Sequence, residues 1–272
     1  TQPQKGRSYK GGHRRDPFSG ERVTTFADLL KRIHDEVPEI QRLRFVTSYP
    51  RDFGDDVLEV IRDSPRMCRY LHVPAQSGSD TVLKRMNRGY TVGEYLDFVD
   101  RARAYLDQPE IGRPLMIAGD MIVGFPGETD EDFQASIELL QRVKYKNCFI
   151  FKYSPRPGTV AFDRIPDDVP DVVKRRRNNE LLAVQQAMSD EIAQAQVGRT
   201  LDVFVEGLSV RERKRTAPVR PGGVSLTVGG NEVPDANSFE IAETASPSAQ
   251  LSGRTDGDLI VIFDTPDGAA PD

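Results

Sequence analysis

The sequence predicts an α/β fold built on a parallel sheet. Three observations carry this: β-branched and aromatic runs alternate with helix-length segments, several of those segments start at capping residues, and each apolar run gives way to a polar or glycine-proline stretch. Taken in order, residues 42–48 (RLRFVTS) read as a strand from their β-branched and aromatic content. Residues 55–62 read as a short helix with apolar positions at Val57, Leu58 and Ile61. Tyr70, Leu71 and Val73 begin the next strand, and Pro74 ends it because proline cannot donate to a ladder. The small polar run that follows is a turn into a helix over 80–86, capped by Ser79 or Asp80. Thr91 and Glu94 form a capping box ahead of Tyr95, Leu96, Phe98 and Val99. Residues 116–125 are a strand, Thr129 and Asp132 cap the helix carrying Phe133, Ile137 and Leu140, and residues 147–153 are a strand again. A last long helix opens at 174–177 (KRRR) and ends near Gln196, and its basic start reads either as a solvent-facing surface or as a contact for RNA.

Strands joined by helices place their C-terminal ends along one edge of the sheet, where ligands bind in such folds. Those ends read TSYP (47–50), AQSG (75–78), GFPGE (124–128) and KYSPRPGT (152–159). Any one of them is explained as a turn; four together suggest a rim around a ligand. Glycine lets backbone approach a ligand closely, and Lys152 and Arg156 offer cationic donors to a carboxylate or phosphate. Lys152 is equally readable as a solvated strand end.

Composition narrows the class. The 272 residues are 38% hydrophobic and 29% charged with a net charge of -5, which suits one large or two moderate globular domains and argues against a uniformly basic nucleic-acid binder. No apolar run is long enough to span a bilayer. The two cysteines, Cys68 and Cys148, lie far apart and in no metal-ligand spacing, so a disulfide scaffold or a zinc ribbon is not expected and a reducing cytoplasm is. The chain begins at Thr1 with a glycine-rich, basic segment over 1–22, expected to be flexible.

SYP, HVPAQSGSDTVLKRMNRGYT, DMIVGFPGET and FKYSPRPGT, spread in order over residues 45–206, resemble the core of the radical S-adenosylmethionine methylthiotransferases, closest to the branch that modifies isopentenyladenosine in tRNA. The resemblance implies a partial radical-SAM (β/α) barrel over 23–197, with S-adenosylmethionine held against a four-iron cluster by the strand ends. It implies that Gln76 and Ser77 bond the cofactor's ribose or methionine, that the backbone from Met121 through Val123 to Gly124 flanks the adenine, and that Thr47 and Ser48 face the methionine end. Asp120 stands where a glycine often lies in related enzymes, so it joins this set with its contacts open. Lys152, Tyr153 and Arg156 are the implied substrate contacts, Arg156 being stiffened between two prolines. The implied partner is the anticodon stem-loop of tRNA, with no membrane and a monomeric enzyme.

One departure matters. The family carries two 4Fe-4S clusters, one on a CxxxCxxC loop and one on three further cysteines, and neither Cys68 nor Cys148 matches either set. The expectation is therefore an internal fragment, inactive alone, with no metal ligands and no catalytic side chain of its own. Residues 198–210 and 250–264 are similar to strands of the small all-β RNA-binding domain called TRAM, so 198–272 is read as an incomplete TRAM-like domain, with a disordered insertion over about 211–249 that opens on the basic cluster RERKR. Alternatives stay open: methylthiolation of a ribosomal protein or of threonylcarbamoyl-adenosine, or a non-catalytic RNA-binding role.

Overall fold

The computed structural model describes residues 24–46, 53–216, 227–228, 231–232 and 249–265. Contacts divide the chain into two compact units, Thr1–Asp202 with Asp256–Asp258, and Val203–Thr255 with Leu259–Asp272. The first unit holds α1 (Phe26–Glu36), α2 (Asp55–Asp63), β1 (Tyr70–His72), α3 (Asp80–Arg85), α4 (Val92–Leu106), β2 (Met116–Val123), α5 (Asp130–Val143), β3 (Asn147–Lys152), α6 (Val160–Arg164) and α7 (Asp171–Gln194).

Local chemistry starts the helices. Thr25 with Asp28, Thr91 with Glu94, and Thr129 with Asp132 each close a reciprocal capping box, which satisfies backbone donors that a helix start leaves open. The first box and its helix went unread in the sequence although Phe26, Leu29, Leu30 and Ile33 fall at helical spacing; among its residues only Ala27 and Leu30 are buried.

The three strands form one parallel sheet in the order β1-β2-β3. His72 pairs with Ala118, Asp120 with Phe149, and Val123 with Lys152. Side chains alternate across the sheet, so Leu71, Val73, Ile117, Met121, Val123 and Cys148 fall on the side that joins Tyr95, Phe98, Phe133, Leu140 and Val143 in the core. Gly119 lies on that side because Tyr145 occupies the space where a Cβ would go, 2.7 Å from the ring. The Tyr95 hydroxyl donates to the Val73 carbonyl at 2.8 Å and meets the Tyr145 hydroxyl at 2.7 Å, tying α4 to the sheet.

α7 closes the free edge of β3. Asn178, Gln185 and Ser189 donate to the carbonyls of Ile150, Tyr145 and Lys146 at 3.1, 3.0 and 2.9 Å. Their spacing of seven and four residues keeps them on one helix face, which ties α7 to Ile150 in β3 and to the two residues just before the strand.

The second unit contains β4 (Val203–Leu208), α8 (Val210–Thr216), β5 (Thr227–Val228), β6 (Asn231–Glu232), β7 (Gln250–Thr255) and β8 (Ile260–Asp264). β4, β7 and β8 form an antiparallel sheet in the order β4-β7-β8, with a register shift between Val205 and Gly207, whose φ of 127° only glycine adopts without strain.

Three expectations change. Over 42–46 no ladder forms: Leu43 alone bridges Met67, and Val46 is 74% exposed. The RERKR cluster is helical, in α8, because Ser209 caps it by accepting from the Glu212 amide at 3.1 Å; the rest of the expected insertion lies largely outside the described residues. The KRRR start of α7 is half buried, as described below.

Gly119→Ala is expected to destabilise the first unit by about 1–3 kcal/mol through overpacking against Tyr145. Urea denaturation checks this, and Gly93→Ala, in open space on α4, should change little.

Candidate functional site

The strand following β1 does not simply end at its proline. The Gln76 amide donates to the Asp120 carbonyl at 2.8 Å, and the Gln76 carbonyl accepts from the Ile122 amide at 2.9 Å, so the turn stays stitched to β2. To do this Gln76 takes a φ of 70°, a left-handed conformation uncommon for a residue with a Cβ. Such outliers concentrate at sites where the surrounding structure enforces them. Gln76 is 8% exposed as a whole residue, and its backbone is bonded on both sides to β2. A polar side chain held at a strand end in this way is placed to meet a polar ligand.

The residues after it are committed to structure. Ser77 accepts from the Ser79 amide at 3.2 Å, Ser79 caps α3, and the Gly78 amide donates to the Ser136 hydroxyl at 2.9 Å. A Cβ on Gly78 would collide with the backbone of Ala135 and Ser136, so glycine is required by close approach. Ser77 is 1% exposed. Met121 and Val123 point into the core, which leaves only their backbones for a ligand. Thr47 and Ser48 lie outside the described residues.

At the end of β2 the chain turns on Gly124, with φ 71° and Lys174 filling the space beside it. The Gly124 amide donates to Glu128 Oε1 at 2.9 Å, and Arg177 Nη1 donates to the same oxygen at 2.7 Å. Both side chains of this ion pair are nearly inaccessible, at 4% and 1% exposure. Burial pushes the Glu128 carboxyl above its ordinary range, against the opposing pull of the Gly124 amide and the Arg177 guanidinium. Lys174 is likewise buried, with Nζ 2.6 Å from Asp167 and lying over the Tyr153 ring. The expectation of a solvent-facing or RNA-contacting KRRR thus fails for Lys174, which turns back onto nearby Asp167, and for Arg177, whose partner Glu128 comes from a distant segment. Arg175 and Arg176 are exposed and pair with Asp171, Asp130 and Glu180.

Tyr153 packs edge-on against Phe125 at 5.0 Å, and burial raises its hydroxyl pKa. Lys152 sits 3.3 Å from Asp171 in an exposed pair, an interaction worth about 0–1 kcal/mol that a stronger anion can displace. Arg156 is exposed, and its carbonyl accepts from the Thr159 amide and hydroxyl.

On the sheet face away from the helices, His72 Nε2 lies 3.1 Å from Asp120 Oδ1, and its ring is 6.0 Å from Phe149. Phe149 and Phe151 remain 50% and 53% exposed there, each forgoing about 1 kcal/mol of burial. His72 and the two phenylalanines escaped notice in the sequence; their i, i+2 spacing in a strand was visible, but the shared face required the register.

Cys68 and Cys148 are buried free thiols, and burial raises the pKa of each. Among the described residues no three His, Cys, Asp or Glu side chains converge as a metal site. These cysteines do not fit an iron-sulfur cluster, which needs accessible, convergent thiolates. The strand-end rim, with its left-handed Gln76 and Gly124 and the polar side chain of Gln76, does fit a polar adenosyl cofactor.

A parallel sheet with such a rim places the chain among radical SAM proteins: the Radical SAM superfamily model matches residues 16–140. The tRNA-2-methylthio-N(6)-dimethylallyladenosine synthase of Rhodopirellula baltica is 44% identical over 241 residues, covering 89% of this chain and 43% of that protein. The synthase of the same name from Anaeromyxobacter sp. is 48% identical over 191 residues, covering 68% of this chain and 39% of that protein. The chain belongs to the radical SAM methylthiotransferase family. It spans less than half the length of either relative. Among solved structures it is similar to the Escherichia coli coproporphyrinogen III oxidase HemN, with a TM-score of 0.43 and 21% identity over 63% of this chain and 38% of that one, a likeness too distant to assign residues.

Two outcomes are expected. Arg177→Met should cost about 3–5 kcal/mol near neutral pH, because it strands a buried carboxylate. Glu128 then has a raised folded-state pKa, so its contribution is retained below the ordinary Glu range and lost as pH rises through the raised value; urea denaturation should show a smaller loss at mildly acidic pH. Anaerobic reconstitution of this 272-residue chain with iron and sulfide should yield no cluster absorbance in the visible, and a stoichiometric cluster would overturn that.

Proposed function

We propose that this chain works in the methylthiolation of dimethylallyladenosine in tRNA, with S-adenosylmethionine as cofactor. The observation that carries this is the 44% identity to a tRNA-2-methylthio-N(6)-dimethylallyladenosine synthase over 89% of the chain, a stretch long enough to take in the whole strand-end rim. Gln76 supplies the side-chain amide toward the cofactor, with Ser77 holding its turn. The backbones of Asp120, Met121, Val123 and Gly124 form the close-approach wall, and the family resemblance assigns Thr47 and Ser48, which lie outside the described residues, to the methionine end of the cofactor. Bound and reduced, the cofactor supplies radical chemistry; the chain's own work is to orient it and exclude water.

Lys152, Tyr153 and Arg156 form the RNA-facing lip, where a guanidinium fork suits phosphate or a splayed base of the anticodon stem-loop. The small antiparallel sheet of the second unit is read as TRAM-like and as a further RNA contact, since exposed basic side chains of α8 such as Arg213 and Lys214 lie beside it in sequence. Two four-iron clusters belong to the same reading, on ligands other than Cys68 and Cys148, in a monomeric cytoplasmic enzyme.

The test is expression of the full gene in a bacterium lacking its own tRNA methylthiotransferase, with mass spectrometry of digested tRNA. Appearance of the 2-methylthio nucleoside supports the reading, and its absence with cluster-loaded protein overturns it. In the same protein Gln76→Ala should weaken S-adenosylmethionine binding by about three- to tenfold, the worth of one hydrogen bond. Equilibrium dialysis measures this, and unchanged affinity would leave Gln76 a turn residue.

A further inference from the structure

Building on the reading of dimethylallyladenosine as substrate, we infer that Phe149 and Phe151 form the wall that recognises its dimethylallyl group. Both side chains stand on the sheet face that the helices leave bare, at 50% and 53% exposure, while Cys148 and Ile150 between and beside them join or pack against the core. Two large apolar side chains held half in water on a rigid strand mark an interaction surface better than a packing accident. Residues i and i+2 of a strand lie about 6.6 Å apart, a span that matches a branched five-carbon chain.

The surroundings supply the other half of the ligand. Phe149 pairs in register with Asp120, and Phe151 with Ile122. Asp120 and His72 are hydrogen-bonded at 3.1 Å, and the His72 ring lies 6.0 Å from Phe149. An apolar pair therefore adjoins a polar pair on one face of the sheet, next to the strand-end rim. A planar base bearing a polar edge and an apolar branched substituent has that same division, and dimethylallyladenosine stands in the names of the relatives. A purely polar RNA segment would leave both rings wet, and a wholly apolar partner surface would leave the His72–Asp120 pair unused.

The experiment uses the 272-residue chain and two fluorescein-labelled RNA hairpins, identical except for adenosine or N6-dimethylallyladenosine at one loop position. Fluorescence anisotropy gives the two dissociation constants. The parent chain should favour the dimethylallyl hairpin by about tenfold, the scale of a few methylenes in an apolar pocket. Phe149→Ala and Phe151→Ala should each cut that preference severalfold while leaving affinity for the adenosine hairpin unchanged. Phe151→Leu, which keeps an apolar surface, should restore most of it. Because both rings are half exposed, the variants should keep the parent's circular dichroism and urea midpoint. A parent preference that survives both alanine variants overturns the assignment of the wall. Equal affinity of the parent for the two hairpins overturns it as well while leaving the tRNA reading standing, and no affinity for either hairpin removes both.

Discussion

The buried ion pair between Arg177 and Glu128 is the contact on which the candidate site depends. Glu128 receives the Gly124 amide and the Arg177 guanidinium on one oxygen, so the turn after β2, the capped start of α5 and the first turns of α7 are fixed relative to one another. Arg177 also donates to the Glu128 carbonyl and to Asp130, leaving only its Nε buried without a partner. Such a pair adds little net stability over an apolar replacement, because two charges had to be desolvated. Its value here is geometric: it holds the left-handed Gly124 at the end of β2, in the candidate rim.

A second constraint follows from the sheet itself. Parallel sheets are ordinarily covered on both faces, and in this one the helices cover one face while the other presents His72, Asp120, Phe149 and Phe151. The covered face is closely packed, down to the absent Cβ of Gly119. Even the sheet's outer edge is closed, by the polar face of α7. The asymmetry leaves the candidate residues of that face and of the strand ends with a rigid support behind them.

Much of this was legible before any coordinates. Thr91 with Glu94 and Thr129 with Asp132 announce helix starts because the capping box is a local device, complete within four residues. Pro74 and the polar run after it mark a strand end for the same reason. Less legible was the fate of charge: a KRRR run looks solvated, yet Lys174 and Arg177 are buried because Asp167 and Glu128 wait for them. Position 43 shows the converse, since a strand-like composition yields a single bridge when the neighbouring segment supplies only one pairing residue.

The amino-acid sequence by itself determined the helix starts, the alternation of strand and helix, the strand-end polar runs and the family that their motifs spell out, because each is written within a few consecutive residues. Only the tertiary structure decided the left-handed turn at Gln76, the pairing of His72 with Asp120, the burial of Arg177 and the shared face of Phe149 and Phe151. The first three bring together segments tens of residues apart, and the fourth depends on which face of the sheet the helices cover, so none is written within a few consecutive residues. A one-residue slip of β2 against its neighbours would turn Asp120 away from both His72 and Phe149.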